Sequence, residues 1–274
     1  MSATQARSVY EKLQPQAKIG SGEVFKASKF EELLKSIFKD EKMQDLRSNA
    51  CKTCVIRFGM HRLKLTLRLA CSFVCAMNEM NMNAGIPQIF RSYNTLEEPA
   101  MQCMLWEAAR ATSATPGLFK PMQIGSHGQW YIDGGVGHNN PTSLAFEEAK
   151  ILYPSRAVVL VTSIGSGHPD TIQIAKSPSL TSIANMMKQI ATDCEKTHEE
   201  NMRRFPAIPS AYFRFNVQQG MQGLKPQQWG KSKEVLAHTN VYLRTESVKS
   251  TLTAAVKILL SKLSTLVILP TNSW

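Results

Sequence analysis

Trp130-Tyr131-Ile132-Asp133-Gly134-Gly135-Val136-Gly137-His138-Asn139-Asn140-Pro141 is where residue types and spacing come closest to chemistry. An apolar strand ends in a carboxylate, glycines follow, and Asn140 with Pro141 reads as the N-cap and first residue of a helix. This puts Asp133 at a strand mouth. Gly134 and Gly135 permit positive φ and leave room for another backbone or a substrate, the layout a directly acting general base requires. The same residues also fit a plain Asp-Gly turn, and on residue types alone both readings stand.

Cysteines form a second constellation: Cys51-x2-Cys54 followed by Cys71-x3-Cys75, set among basic residues. The spacing is close to that of a zinc ribbon and suggests a zinc-binding basic module. Against it, residues 72–76 read as buried strand. At about 3.3 Å per residue this would separate Cys71 from Cys75 by about 13 Å, too far to share one ion. Free thiols are the plainer reading, and no metal is assigned. His127 and His138 flank the Asp133 strand and read as loop residues, while His61, His168, His198 and His238 show no metal spacing.

Elements must position these groups. Phe30, Leu33, Leu34, Ile37 and Phe38 recur at helical spacing behind Ser28-Lys29-Phe30-Glu31, a capping-box pattern, so residues 29–39 are expected as an amphipathic helix. Strand-like runs at 88–93, 130–132, 157–164 and 211–217 alternate with helical stretches at about 101–112, 141–150, 179–203 and 246–262. Alternating leucines at 63–69 fit a further strand with a basic face, with a helix as the alternative. The alternation predicts an α/β chain with a mostly parallel sheet and helices on both faces. Residues 206–209 and 218–229 read as loops, and Trp106 and Trp130 as packing residues.

The sequence has 274 residues, 43% hydrophobic and 19% charged, which is ordinary globular composition and excludes a disordered or collagen-like chain. Net charge is +11, of which six come from Arg47, Lys52, Arg57, Arg62, Lys64 and Arg68, with no acid between residues 47 and 78. The remaining +5 is spread over the rest of the chain (11 − 6), so nucleic acid is not an expected partner, whereas an anionic membrane surface is compatible. No apolar run reaches the roughly 18 residues of a spanning helix, and the first residues lack a signal peptide's apolar stretch. Six cysteines are too few for a disulfide scaffold. A cytoplasmic protein, peripheral at lipid surfaces, is expected.

Residues 106–119 (Trp-Glu-Ala-Ala-Arg-Ala-Thr-Ser-Ala-Thr-Pro-Gly-Leu-Phe), then Tyr131-Ile132-Asp133-Gly134-Gly135 with Asn139-Asn140-Pro141, then Ser163-Ile164-Gly165-Ser166-Gly167, resemble the second half of a patatin-like phospholipase domain. The resemblance covers most of residues 8–250 and runs through motifs in the family's order. It implies a three-layer α/β/α fold and lipid acyl hydrolysis by a Ser-Asp dyad, without metal or other cofactor. Asp133 matches the catalytic aspartate. The implied partners are acyl esters of membrane or neutral lipids.

The same resemblance implies a Gly-x-Ser-x-Gly elbow and a glycine-rich oxyanion loop upstream of the helix that residues 8–13 resemble. No serine in the sequence has glycine both two before and two after: Ser126 has only Gly128, Ser163 only Gly165, Ser232 only Gly230. Recruitment of Ser113 or Ser166 would lack a sharp presenting turn. Residues 54–72 read as an insertion. The expectation is therefore an N-terminally incomplete domain over 1–250 with an apolar helical tail at 251–274, keeping the aspartate but lacking the nucleophile, and inactive as written. A non-catalytic scaffold that binds lipid or a partner is the alternative.

Overall fold

The computed structural model describes residues 27–43, 54–56, 71–155, 158, 160–174, 176–204, 212–224 and 228–267. The expected helix at 8–13, the basic cluster from Arg47 to Arg68, the strand at 63–69 and the loop at 206–209 lie outside them. The chain divides into two compact units: residues 1–152 with 172–193, and residues 153–171 with 194–274.

In the first unit, α1 (Ala27–Phe38) buries Phe30, Leu34 and Phe38, the stripe read from their spacing. Ser28 is the second residue of this helix rather than its cap, because the helix begins at Ala27. Next come β1 (Cys54–Ile56), β2 (Cys71–Asn78), β3 (Gln88–Arg91), α2 (Leu105–Ala111), β4 (Met122–Ile124), β5 (Gln129–Asp133) and α3 (Thr142–Leu152), and α4 (Leu180–Ala191) also belongs to this unit. Ser179 caps α4 by accepting from the Ser182 N–H at 3.1 Å.

The fold is α/β, but the expected mostly parallel sheet is not what forms here. β2 is the hub: β1 runs parallel to its first half, while β3 and β5 pair with it antiparallel, and β4 pairs antiparallel with β5. The sheet is therefore largely antiparallel. The cause lies in the links. Residues 79–87 between β2 and β3 are too few for a helical crossover, and β4 turns into β5 through Gly125–Gly128, closed by the Gly128 N–H on the Gly125 carbonyl at 3.0 Å. β4 had no sequence signal beyond three residues. Alternation along β5 buries Tyr131 and turns Trp130 outward, 40% exposed, so Trp130 is not a packing residue.

Phe30 meets Phe119 at 5.1 Å and Phe90 meets Tyr131 edge-on at 5.3 Å inside this core. Two buried arginines brace it. Arg110 on α2 donates Nη2 to the Lys120 carbonyl and Nε to Glu31 on α1, joining two helices to the loop that follows α2. Arg91 on β3 donates Nε and Nη2 to the two oxygens of Glu148 on α3, both at 2.7 Å, and the Tyr93 hydroxyl adds a third bond to the same carboxylate at 2.6 Å.

In the second unit, β6 (Val161–Ile164) and β7 (Tyr212–Phe215) form a two-stranded parallel sheet. The helices are α5 (Glu195–Arg204), α6 (Ser232–Arg244) and α7 (Glu246–Val267). The single helix expected at 179–203 is two, broken at residues 192–194, and α6 was not expected at all. α7 runs through residue 250 without a break. Among the described residues no helix is long and apolar enough to cross a membrane.

Breaking one side of the Arg91–Glu148 pair leaves a buried carboxylate without its cation, which typically costs about 3–5 kcal/mol. Arg91→Met is expected to lower the unfolding free energy by that amount. A double Arg91→Met, Glu148→Leu variant should recover most of it, as measured by urea denaturation.

Candidate active site

β5 carries Asp133 to the end of the strand, opposite Ala76 of β2. There its backbone N–H donates to the Ala114 carbonyl at 3.1 Å, tying the strand end to the loop after α2. The Asp133 carboxylate accepts on both oxygens: Oδ2 from the Thr115 hydroxyl at 2.5 Å and Oδ1 from the Gly135 N–H at 2.7 Å. Burial pushes its pKa above the ordinary carboxylate value, and those two donors, which favour the ionised form, hold it back.

The glycines act differently from the expectation of positive φ. Gly134 has φ −62° and ψ −18°, ordinary right-handed values, and neither it nor Gly135 lies in the left-handed region. What demands glycine at 134 is space: a Cβ would sit 2.3 Å from the carbonyl oxygen of Cys75 and 2.9 Å from its Sγ. At 135 a Cβ would stand 3.1 Å from Asp133 Oδ1, crowding the carboxylate that the Gly135 amide serves. The positive φ that the turn needs falls at Gly137, at 97°.

Beyond the turn, Asn140 Oδ1 accepts from the Thr142 hydroxyl at 2.6 Å and from the Thr142 N–H at 3.4 Å, and the Pro141 carbonyl takes the Ala145 N–H at 2.9 Å, the opening bond of α3. Asn139 Nδ2 donates to the Thr192 carbonyl at 2.7 Å, and His138 Nε2 to the Gly85 carbonyl at 2.9 Å. His127 stays in the exposed β4–β5 hairpin.

Cys75 is a buried free thiol, pushed up to about 12 by burial first and then by the nearby Asp133 charge, so it stays neutral. Its carbonyl accepts from the Thr112 hydroxyl at 2.7 Å. The zinc module fails on geometry. Cys71 and Cys75 share the continuous strand β2, four residues and so about 13 Å apart. Cys54 stands opposite Cys71 in the parallel β1–β2 pair, and Cys51 lies outside the described residues. Among the described residues no three His, Cys, Asp or Glu groups are gathered to hold a metal ion.

Of the serines considered as substitute nucleophiles, Ser113 lies two residues past the end of α2 and donates to the Ala109 carbonyl of that helix at 2.7 Å, and Ser166 follows β6 in the second unit. The hydroxyl that does reach Asp133 is Thr115. Sequence reasoning assigned it no role, since a separation of 18 residues carries no contact signal.

A raised carboxyl pKa in the folded state means that the native protein binds more protons than the unfolded chain just above the ordinary Asp range. Stability therefore falls as pH rises through the window between the ordinary value and the elevated folded one. Asp133→Asn removes that titration. The difference in unfolding free energy between wild type and Asp133→Asn is expected to move against wild type as pH rises through that window and then level off. Denaturant melts across acidic to neutral pH check this, and a flat difference would refute it.

Residues 6–146 match the family model described as patatin-like phospholipase. Calcium-independent phospholipase A2-gamma of Mus musculus is 30% identical over 156 residues, 54% of this chain and 20% of that protein. Its Homo sapiens counterpart is 32% identical over 158 residues, 53% of this chain and 19% of that protein. An Arabidopsis thaliana protein named probable inactive patatin-like protein 9 is 36% identical over 102 residues, 34% of this chain and 26% of that protein. The chain thus spans about a fifth of the length of the phospholipase A2-gamma relatives it matches. The family match takes in α1, the whole β2-centred sheet and the Asp133 turn, and the chain belongs to the patatin-like phospholipases.

Proposed function

We propose that this chain carries the proton-accepting half of a lipid acyl hydrolase site, with Asp133 as general base. The observation that supports it is the Asp133 carboxylate, held by two donors at a strand end inside the family-matched residues. In the reaction, Asp133 takes the proton of a serine hydroxyl as that oxygen bonds to the ester carbonyl carbon. The tetrahedral adduct then collapses, the acyl C–O bond breaks, and the proton on Asp133 passes to the departing alcohol. Water repeats the cycle on the acyl-serine. The reading also takes residues 1–250 as a patatin-like domain in the three-layer α/β/α manner, with 54–72 an added segment that contributes the strand β1.

Within the 274 residues no Gly-x-Ser-x-Gly occurs, which favours a second reading, a non-catalytic lipid- or partner-binding scaffold. One assay separates the two. The chain as printed should hydrolyse p-nitrophenyl esters at background rate, because losing even one oxyanion donor costs about 10²–10³ in rate. Fused behind a segment carrying the Gly-x-Ser-x-Gly elbow and glycine-rich oxyanion loop that the family resemblance implies, it should gain hydrolysis, and Asp133→Asn in that fusion should lower kcat by about 10²–10⁴. An Asp133→Asn fusion as active as its parent would sink the general-base assignment.

The expected substrate surface is lipid, and α7 offers a face for it. Leu252, Val256 and Leu259 recur at helical spacing on its exterior and are 43%, 44% and 52% exposed. Across residues 231–257 five Lys or Arg outnumber two Glu, a net of +3 (5 − 2), which suits an anionic bilayer. The chain should sediment with phosphatidylserine-containing vesicles and less with neutral ones. A Leu252→Asp, Leu259→Asp variant should bind more than tenfold more weakly, since each inserted leucine contributes about 1.5–3 kcal/mol. Equal sedimentation of variant and wild type would remove α7 from the interface.

A further inference from the structure

A carboxylate offers about four lone-pair directions, and at Asp133 two of them are filled from among the described residues. One donor is the Gly135 amide, part of the same turn. The other, the Thr115 hydroxyl, comes from a different element and is delivered by a tightly determined stretch of backbone. The Thr115 N–H donates to the Ser113 carbonyl at 2.8 Å, while its own carbonyl accepts from the Leu118 and Phe119 N–H groups at 3.0 Å each. Pro116 restricts the backbone of the residue before it, and β-branching leaves Thr115 few χ1 choices. The neighbouring Ala114 carbonyl meanwhile takes the Asp133 N–H, so the loop grips Asp133 through both main chain and side chain.

We propose that Thr115 is a positioning residue for Asp133: its hydroxyl clamps Oδ2 while the Gly135 amide clamps Oδ1, fixing the carboxylate's rotamer and leaving one acceptor direction on each oxygen for an incoming hydroxyl. This rests on the reading of Asp133 as the proton acceptor. Energetically, the clamp is a charge-assisted hydrogen bond that favours the ionised carboxylate against the burial opposing it. The surrounding ionisable groups do not do this job. Cys75 on β2 is a neutral thiol, His138 in the turn is bonded to the Gly85 carbonyl, and Arg110 on α2 is bonded to Glu31 and the Lys120 carbonyl. Among the described residues the stabilising donors on Asp133 are a hydroxyl and an amide, and of these only the hydroxyl can be removed by substitution.

The test is a carboxyl ¹³C NMR titration of the full chain with labelled aspartate, the Asp133 resonance being identified by its loss in Asp133→Asn. Thr115→Val is close to Thr in shape but cannot donate, and its Asp133 midpoint should move to higher pH than wild type. Thr115→Ser keeps the hydroxyl and should titrate with wild type. Should the amide spectrum show that Thr115→Val does not fold, Thr115→Ala removes the same donor without added bulk and takes its place. Coincident midpoints for wild type and the hydroxyl-less variant would overturn the proposal, as would a Thr115→Ser midpoint that follows valine. The titration needs no turnover, so its failure leaves the general-base reading intact. An active Asp133→Asn fusion would sink that reading without changing any midpoint.

Discussion

At residue 134 the backbone leaving β5 passes so close to β2 that a Cβ would stand 2.3 Å from the Cys75 carbonyl oxygen. Neither partner can yield: one is main chain in the middle of a paired strand, and the other follows directly on a strand pinned to it at Ala76, Met77 and Asn78. The same carbonyl also takes the Thr112 hydroxyl from the end of α2. Three elements thus converge within a few ångströms, and a side chain at 134 would wedge them apart. Because Asp133 immediately precedes this point, backbone packing locates its Cα, and the two hydrogen bonds to its side chain then orient the carboxylate.

Electrostatics then decides what the located carboxylate can do. A site using aspartate alone as base must keep it ionised while buried, and burial works against that. Two neutral donors offset the penalty without adding a positive charge, which would hold the proton acceptor too weak to be useful. Cys75 fits the same logic. A thiolate beside Asp133 would repel its charge, but burial holds the thiol neutral and so removes the competitor. A close, apolar thiol also suits the tight packing against Gly134 better than a hydroxyl needing its own partner.

Local pattern made much of this legible, and tertiary pairing hid the rest. The stripe from Phe30 to Phe38 and the run ending in Asp133 are strongly periodic, so α1 and β5 were readable within about two residues. Asp133 stood out because a carboxylate, glycines and a helix start follow one another within a few residues. Strand direction was not readable, because it depends on whether a link can carry a crossover, and the short links around β3 and β5 cannot. The reason for Gly134 was half legible: room for another backbone was expected there, but not which backbone, nor that positive φ plays no part. Its φ is ordinary, and the demand comes from Cys75, a residue on another strand. Thr115 escaped for the same cause, since nothing in its spacing from Asp133 signals contact.

The strand that organises the site contributes none of its proposed chemistry. β2 receives β5 on its second half and β3 antiparallel across its middle, with Phe73 opposite Arg91. Arg91 in turn grips Glu148 on α3, the helix that begins where the Asp133 turn ends. The turn is therefore held from both sides. On one side Gly134 abuts Cys75 of β2 directly, and on the other α3 is fastened through a buried ion pair to a strand that itself pairs with β2. A closed circuit of this kind resists displacement better than a turn fixed at one end, because moving the carboxylate requires breaking either a sheet ladder or a desolvated salt bridge. It follows that damage far from Asp133, at Arg91 or Glu148, reaches the carboxylate by loosening α3 and with it the far end of the turn.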